Sequence, residues 1–144
     1  MKLTWTLSRR KWLALSSGSI AFAGLSGLPA FASLAEDAIA DFTGGAEAAS
    51  GGVTLSAPEI AENGNTVPIG DDAPGAAEVM LFAEGNPEPN VERFTFGPLS
   101  DTRTASTRIR LATTQNVIAI AKMEDGAFQM AQAEVKVTIG GCGG

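Results

Sequence analysis

The chain has 144 residues, 44% of them hydrophobic, which suits one ordinary globular domain once a targeting segment is set aside. It carries 10 basic and 16 acidic residues, and without Lys2, Arg9, Arg10 and Lys11 near the N-terminus the balance is −10, which argues against nucleic acid or an anionic membrane as partner. Histidine is absent and cysteine occurs once, so the composition excludes Ser-His-Asp and Cys-His centres, a histidine-based or cysteine-rich metal site, and an internal disulfide.

Residues 1–32 read as an export signal. Arg9 and Arg10 form an adjacent pair within Ser8-Arg9-Arg10-Lys11-Trp12-Leu13-Ala14, just before an apolar run, the pattern of twin-arginine export. The run 13–28 is broken by glycine and serine and is too weak for a membrane span. Pro29-Ala30-Phe31-Ala32 places small residues where a signal peptidase reads, so cleavage is expected after Ala32. The mature chain is then periplasmic, with no membrane contact after cleavage.

Ser33 and Glu36 have the spacing of a capping box, with Ser33 as the N-cap. Leu34, Ala38, Ile39 and Phe42 follow on one helical face, and Gly44-Gly45 ends the pattern. Residues 47–52 are small and read as a linker. A short strand is expected over 53–57, then a bend over 58–68 built on Asn63-Gly64.

Strands are expected over 79–83, 92–96, 107–111 and 117–121. The first and last of these are apolar on both faces. Residues 84–90 hold Gly85, Asn86, Pro87 and Pro89 and form a loop. Asp125-Gly126 turns the chain into a final strand. That strand buries Ala131, Ala133, Val135, Val137 and Ile139 and exposes Gln132, Glu134, Lys136 and Thr138. Phe128 and Met130 fall out of phase, which calls for a bulge near Met130 or a partner over that face. Short strands separated by turns, without a second helix, predict an all-β fold: an immunoglobulin-like antiparallel β-sandwich over 33–139, with a short N-terminal helix.

The chain closes on Gly140-Gly141-Cys142-Gly143-Gly144. Four glycines around one thiol make a thin, pliable arm that reaches about 10 Å from Ile139 to Cys142. Arg108 and Arg110 read as a solvated strand face, Glu62-Asn63-Gly64 as turn chemistry, and the methionines as core filler.

The terminal ten residues, 135–144, closely resemble the C-terminus of the SoxY family, the carrier subunits of the thiosulfate-oxidising Sox system. Segments 57–64, 82–87, 106–112 and 114–117 resemble the same family. The chain departs from the family after Ile69: where the family continues in a longer strand, the run Gly70-Asp71-Asp72-Ala73-Pro74-Gly75 leads quickly to Val79, so a missing or stunted strand is expected there. The resemblance implies that Cys142 is the point of covalent substrate attachment and that Gly140, Gly141, Gly143 and Gly144 form a swinging arm. It implies no catalytic residue, metal or cofactor beyond sulfur intermediates derived from thiosulfate and bound to Cys142. It implies a heterodimer with a SoxZ-like subunit and transient docking to SoxAX and SoxB, and to SoxCD where the host has it. Two other readings are a carrier activated at its terminal glycine carboxylate, and a noncatalytic β-sandwich binding module whose cysteine forms an intermolecular disulfide.

Overall fold

The computed structural model describes residues 30–140. The signal residues Arg9 and Arg10, and Gly141, Cys142, Gly143 and Gly144 of the arm, lie outside them.

Among the described residues one helix, α1 (Ala30–Thr43), precedes nine strands. These are β1 (Ala48–Ser50), β2 (Thr54–Ser56), β3 (Ile60–Ala61), β4 (Val67–Asp72), β5 (Ala76–Ala83), β6 (Asn90–Thr95), β7 (Thr104–Ile109), β8 (Gln115–Met123) and β9 (Phe128–Val137). They form two sheets. The larger has the order β1-β9-β8-β5-β6, with β3 also on β9, and the smaller has the order β2-β4-β7.

The centre of the molecule is the antiparallel pair β5–β8, which is apolar on both faces. Val79, Leu81 and Ala83 of β5, with Val117, Ala119 and Ala121 of β8, point into the sandwich against Val67, Ile69, Ile109 and Leu111. Met80, Phe82, Ile118 and Ile120 point the other way. A strand exposes alternate residues to opposite faces, so two covers are needed. The smaller sheet supplies one, and α1 supplies the other through Ala38, Ile39 and Phe42.

This arrangement resolves the odd phase of the final strand. Phe128 and Met130 pack under the helix with Phe42, whose ring lies 5.8 Å edge-on from that of Phe128 and 6.1 Å from that of Phe82. The β8–β9 register runs unbroken from Gln115↔Val135 to Lys122↔Phe128. Hence β9 has no bulge near Met130, and this chain itself covers that face. Further along, Val135 is fully buried as expected, but Ile139 is 68% exposed because it lies beyond the end of the ladder.

Other expectations need correction. The helix starts at Ala30, so Ser33 lies inside it and is not its N-cap. Its buried stripe is Ala35, Ala38, Ile39 and Phe42, spaced i, i+3, i+4 and i+7, while Leu34 sits beside the stripe and is 44% exposed. The end of the helix is as expected: Gly44 and Gly45 take φ of 65° and 82°, and the Gly45 amide donates to the Ala40 carbonyl at 3.0 Å.

The supposed linker contains β1, and the supposed bend contains β3. Both run parallel to β9, along Ala48↔Phe128 to Ser50↔Met130 and along Ile60↔Lys136 and Ala61↔Val137. The sandwich is therefore antiparallel except at this edge. Three- and two-residue strands have too little periodicity to read from sequence.

After Ile69 the strand is neither missing nor stunted. Residues of low strand propensity hold β4 because β7 pairs along its whole length, Val67↔Ile109 to Asp72↔Thr104, and β2 pairs with Gly70, Asp71 and Asp72. Pro68 falls where β2 has already ended.

Asp71 faces inward on β4, and its carboxylate oxygens have no hydrogen-bond partner among the described residues. Burial, with the neighbouring Asp72 charge adding to it, raises its pKa from 3.8 to about 6. The folded state therefore holds this proton more tightly than the unfolded state does. Its stabilising effect is full below about pH 4 and fades as the pH rises to about 6, by roughly 3 kcal/mol. We expect urea midpoints to fall across this window, and the advantage of Asp71→Asn over the parent to grow by about that amount. Parallel stability curves for the two proteins would contradict this.

Phe42 is the aromatic centre of the helix contact. Phe42→Ala should cost about 2–3 kcal/mol in urea unfolding. A loss below about 0.5 kcal/mol would show that α1 is not the working cover of the second face.

Candidate functional site

The ends of β5, β8 and β9 place three segments together at one pole of the sandwich: the turn after β3, the corner between β7 and β8, and the last residues before Gly140. The Asn63-Gly64 bend is present. The Asn65 amide donates to Asn63 Oδ1 at 3.0 Å, closing a local turn in which Gly64 keeps a negative φ. Its backbone is a bridge. The Gly64 amide donates to the Ile139 carbonyl at 2.8 Å, and the Gly64 carbonyl accepts from the Leu111 amide at 2.7 Å. Glu62-Asn63-Gly64 is thus turn chemistry whose backbone also grips the end of the chain.

The final residues are held from both sides. The Thr138 amide donates to the Ala61 carbonyl at 3.1 Å, and the Thr138 hydroxyl lies 3.3 Å from the Ala61 carbonyl and 3.1 Å from that of Glu62. The Val137 amide donates to the Thr114 hydroxyl at 2.9 Å. Gly140 lies directly against the Ala112 carbonyl, and a Cβ at this position would collide with that oxygen. Glycine is required here for close approach of two backbones.

The 110–115 corner is tied by side-chain amides. Asn86 Nδ2 donates to the Arg110 carbonyl at 2.7 Å, and Asn86 Oδ1 accepts from the Ala112 amide and from Gln115 Nε2, both at 3.0 Å. Gln115 Oε1 accepts from the Gly85 amide at 2.7 Å. Sequence reading placed Asn86 in a loop and gave Gln115 and Thr114 no role. The signal available was that all three lie in stretches, 82–87 and 114–117, that carry the family resemblance.

The surface of this pole is mixed in charge. Glu59, Glu62, Glu134, Lys136 and Arg110 are exposed, as are Ile60 at 58% and Ile139 at 68%. A cleft of about 390 Å³ beside it is lined by Glu84, Gly85, Thr113, Thr114, Gln115 and Glu134, among others. Arg108 is exposed on the outer face of the smaller sheet, as expected of a solvated strand, and lines a shallow trough with Pro68, Gly70 and Ser106. Among the described residues, no three acidic or cysteine side chains gather as a metal site. No helix among them is long and apolar enough to cross a membrane.

The chemistry at this pole is confined to what the fixed root presents. The chain is hydrogen-bonded as far as the Ile139 carbonyl, Gly140 lies against the Ala112 carbonyl, and Cys142, the sole thiol of the sequence, follows two residues later, within about 7 Å of chain.

The family model of the sulfur oxidation protein SoxY matches residues 39–142. The solved sulfur carrier protein SoxY from Chlorobium limicola f thiosulfatophilum is 36% identical, with a TM-score of 0.65 over 75% of this chain and 99% of that one. A superoxide reductase (neelaredoxin) from Ignicoccus hospitalis is similar at 15% identity and a TM-score of 0.54, over 60% of this chain and 80% of that one. A putative superoxide reductase from Thermotoga maritima reaches 17% and 0.50, over 67% and 90%. These two show a shared sandwich fold alone. A search of curated proteins returned no match. On the family match and on the identity along nearly the whole of a solved member, the chain belongs to the SoxY family.

Proposed function

We propose that this protein is a sulfur carrier that holds the intermediates of thiosulfate oxidation covalently on Cys142 and presents them to other Sox enzymes. The observation that carries this reading is the root after β9: hydrogen bonds hold the chain as far as the Ile139 carbonyl, and in sequence the only thiol follows three residues later among glycines. Family membership and the solved carrier support it. The carrier performs no catalytic step, and its partners supply the acids, bases and redox centres. It works in the periplasm, exported through the Arg9-Arg10 signal, as a heterodimer with a SoxZ-like subunit.

The loading step is an oxidation. The Cys142 thiolate and the outer sulfur of thiosulfate form a sulfur–sulfur bond, and the two electrons released go to a haem enzyme of the SoxAX type. Hydrolysis by a SoxB-type enzyme then cleaves the bond to the sulfonate. It releases sulfate and leaves a persulfide on Cys142. Thiolate is the reactive form, and no other side chain in the sequence can supply it.

Incubation with thiosulfate and the oxidising haem partner should add one thiosulfate-derived group per chain, and peptide mapping should place it on Cys142. A thiol reductant should remove it, because thiolate attack opens the sulfur–sulfur bond. Cys142→Ser should reduce loading to background. An adduct on another residue, or normal loading of Cys142→Ser, would overturn the carrier reading. Disulfide-linked dimers without any adduct would do the same.

A further inference from the structure

Leu111 is fully buried, yet the corner around it, residues 110–114, belongs to no strand. Its backbone is nonetheless bonded as if it did. On one side its amide donates to Gly64. On the other, the carbonyl before it and the amide after it both bond to the Asn86 side chain, at 2.7 and 3.0 Å. A carbonyl at i−1 and an amide at i+1 are the two groups a neighbouring strand would engage. The Asn86 carboxamide has one acceptor and one donor set to match, and so stands in for the missing peptide. Gln115 Nε2 bonds the same oxygen and also the Thr113 carbonyl, at 3.0 Å each, which orients the carboxamide.

This corner is also the surface against which the arm leaves the domain. Ala112, whose amide Asn86 holds, presents its carbonyl to Gly140. Leu111 connects through Gly64 to the Ile139 carbonyl. Thr114, one residue before Gln115, accepts from the Val137 amide. The paths from Asn86 to residues 137–140 are short: one hydrogen bond and a contact through Ala112, two hydrogen bonds through Gln115 and Thr114, and three through Leu111 and Gly64.

We propose that Asn86 is a positioning residue of the carrier. By acting as the partner peptide of residues 110–112, it fixes the platform under Gly140 and so sets the arm's pivot after Gly140, in place of a pivot further back in β9. The inference rests on the carrier reading only for its kinetic consequence. The positioning itself concerns residues 137–140 and holds or fails on its own. With the platform fixed, Ile139 and Gly140 are already in place when an enzyme receives the arm. With it loosened, part of the ordering cost of Ile139 and Gly140 must be met at docking, which weakens productive docking on the order of tenfold.

The test uses the full mature chain and the variants Asn86→Asp and Asn86→Ala. Asp keeps the shape and the acceptor but loses the donor to the Arg110 carbonyl. Gly140→Ala attacks the same contact from the arm side through its collision with the Ala112 carbonyl. Backbone relaxation by NMR should give strand-like order parameters at Ile139 and Gly140 in the parent, near 0.85, falling below about 0.6 in Asn86→Asp and Gly140→Ala. The Gly64 amide, which donates to Ile139, should exchange at least about tenfold faster in both, with β8 amides unchanged. In loading assays with the haem partner, the KM for the carrier should rise on the order of tenfold, with kcat within about twofold. Alkylation of Cys142 by a small reagent should be unaffected.

Unchanged order parameters at 139 and 140 in all three variants would overturn the proposal. So would values already below about 0.6 in the parent, or a fall in kcat with KM constant. Exchange accelerated uniformly through β8 would mark Asn86 as a stability residue and equally overturn it. If the parent itself fails to load, the carrier reading fails, and the relaxation and exchange results still decide the positioning role.

Discussion

The structure depends on one constraint: β5 and β8 are apolar on both faces, so the sheet they centre must be buried twice. In a domain of this size a single sandwich covers one face only, and α1 answers for the other. Phe42 is the pivot of that cover. Its ring meets Phe82 of the central pair and Phe128 of the final strand, and the Arg93 guanidinium lies 5.6 Å from its centre. Because Phe128 starts β9, the same contact that closes the second face also seats the strand that leads to the arm. The unbroken β8–β9 ladder carries that placement to the opposite pole.

What was legible in the sequence followed from strong local patterns. Residues 117–121 read as a central strand because both phases are apolar, and Asp125-Gly126 read as a hairpin turn. The Met123 amide bonds the Ala127 carbonyl at 2.8 Å across that turn, and the Ala127 amide bonds Asp125 Oδ1 at 2.9 Å. What was missed depends on tertiary pairing. Strand β4 contains Pro68, Gly70, Asp71 and Asp72, which individually resist strand, and only neighbours on both sides hold it. Strands β1 and β3 exist because β9 offers them an edge. The phase of Phe128 and Met130 was read correctly, but its cover lies nearly ninety positions earlier, in a helix whose stripe was legible at Ala38, Ile39 and Phe42 and mistaken only in taking Leu34 for Ala35.

The candidate site divides in the same way. The thiol and its glycines are a local motif, visible at once. The root that gives the motif a direction is assembled from Asn63-Gly64, Asn86 and the 110–115 corner, segments far apart in sequence. Asn86 and Gln115 have no period and no charge to betray them, since their work is to replace absent backbone partners. Gly140 has a second reason to be glycine besides pliability, and only the nearness of the Ala112 carbonyl reveals it.

The division of labour between body and arm explains the composition. The sequence has no histidine, and without Lys2, Arg9, Arg10 and Lys11 its net charge is −10, which fits the proposed reading that sulfur is held at one thiol and processed by partners. The most direct test of the account is intact-mass spectrometry of the protein purified from the periplasm of its native host during growth on thiosulfate, before and after a thiol reductant. The account predicts a sulfur-containing mass increment that reductant removes and that maps to the peptide bearing Cys142. A chain of identical, unmodified mass in both samples, or an increment mapped elsewhere, would contradict it.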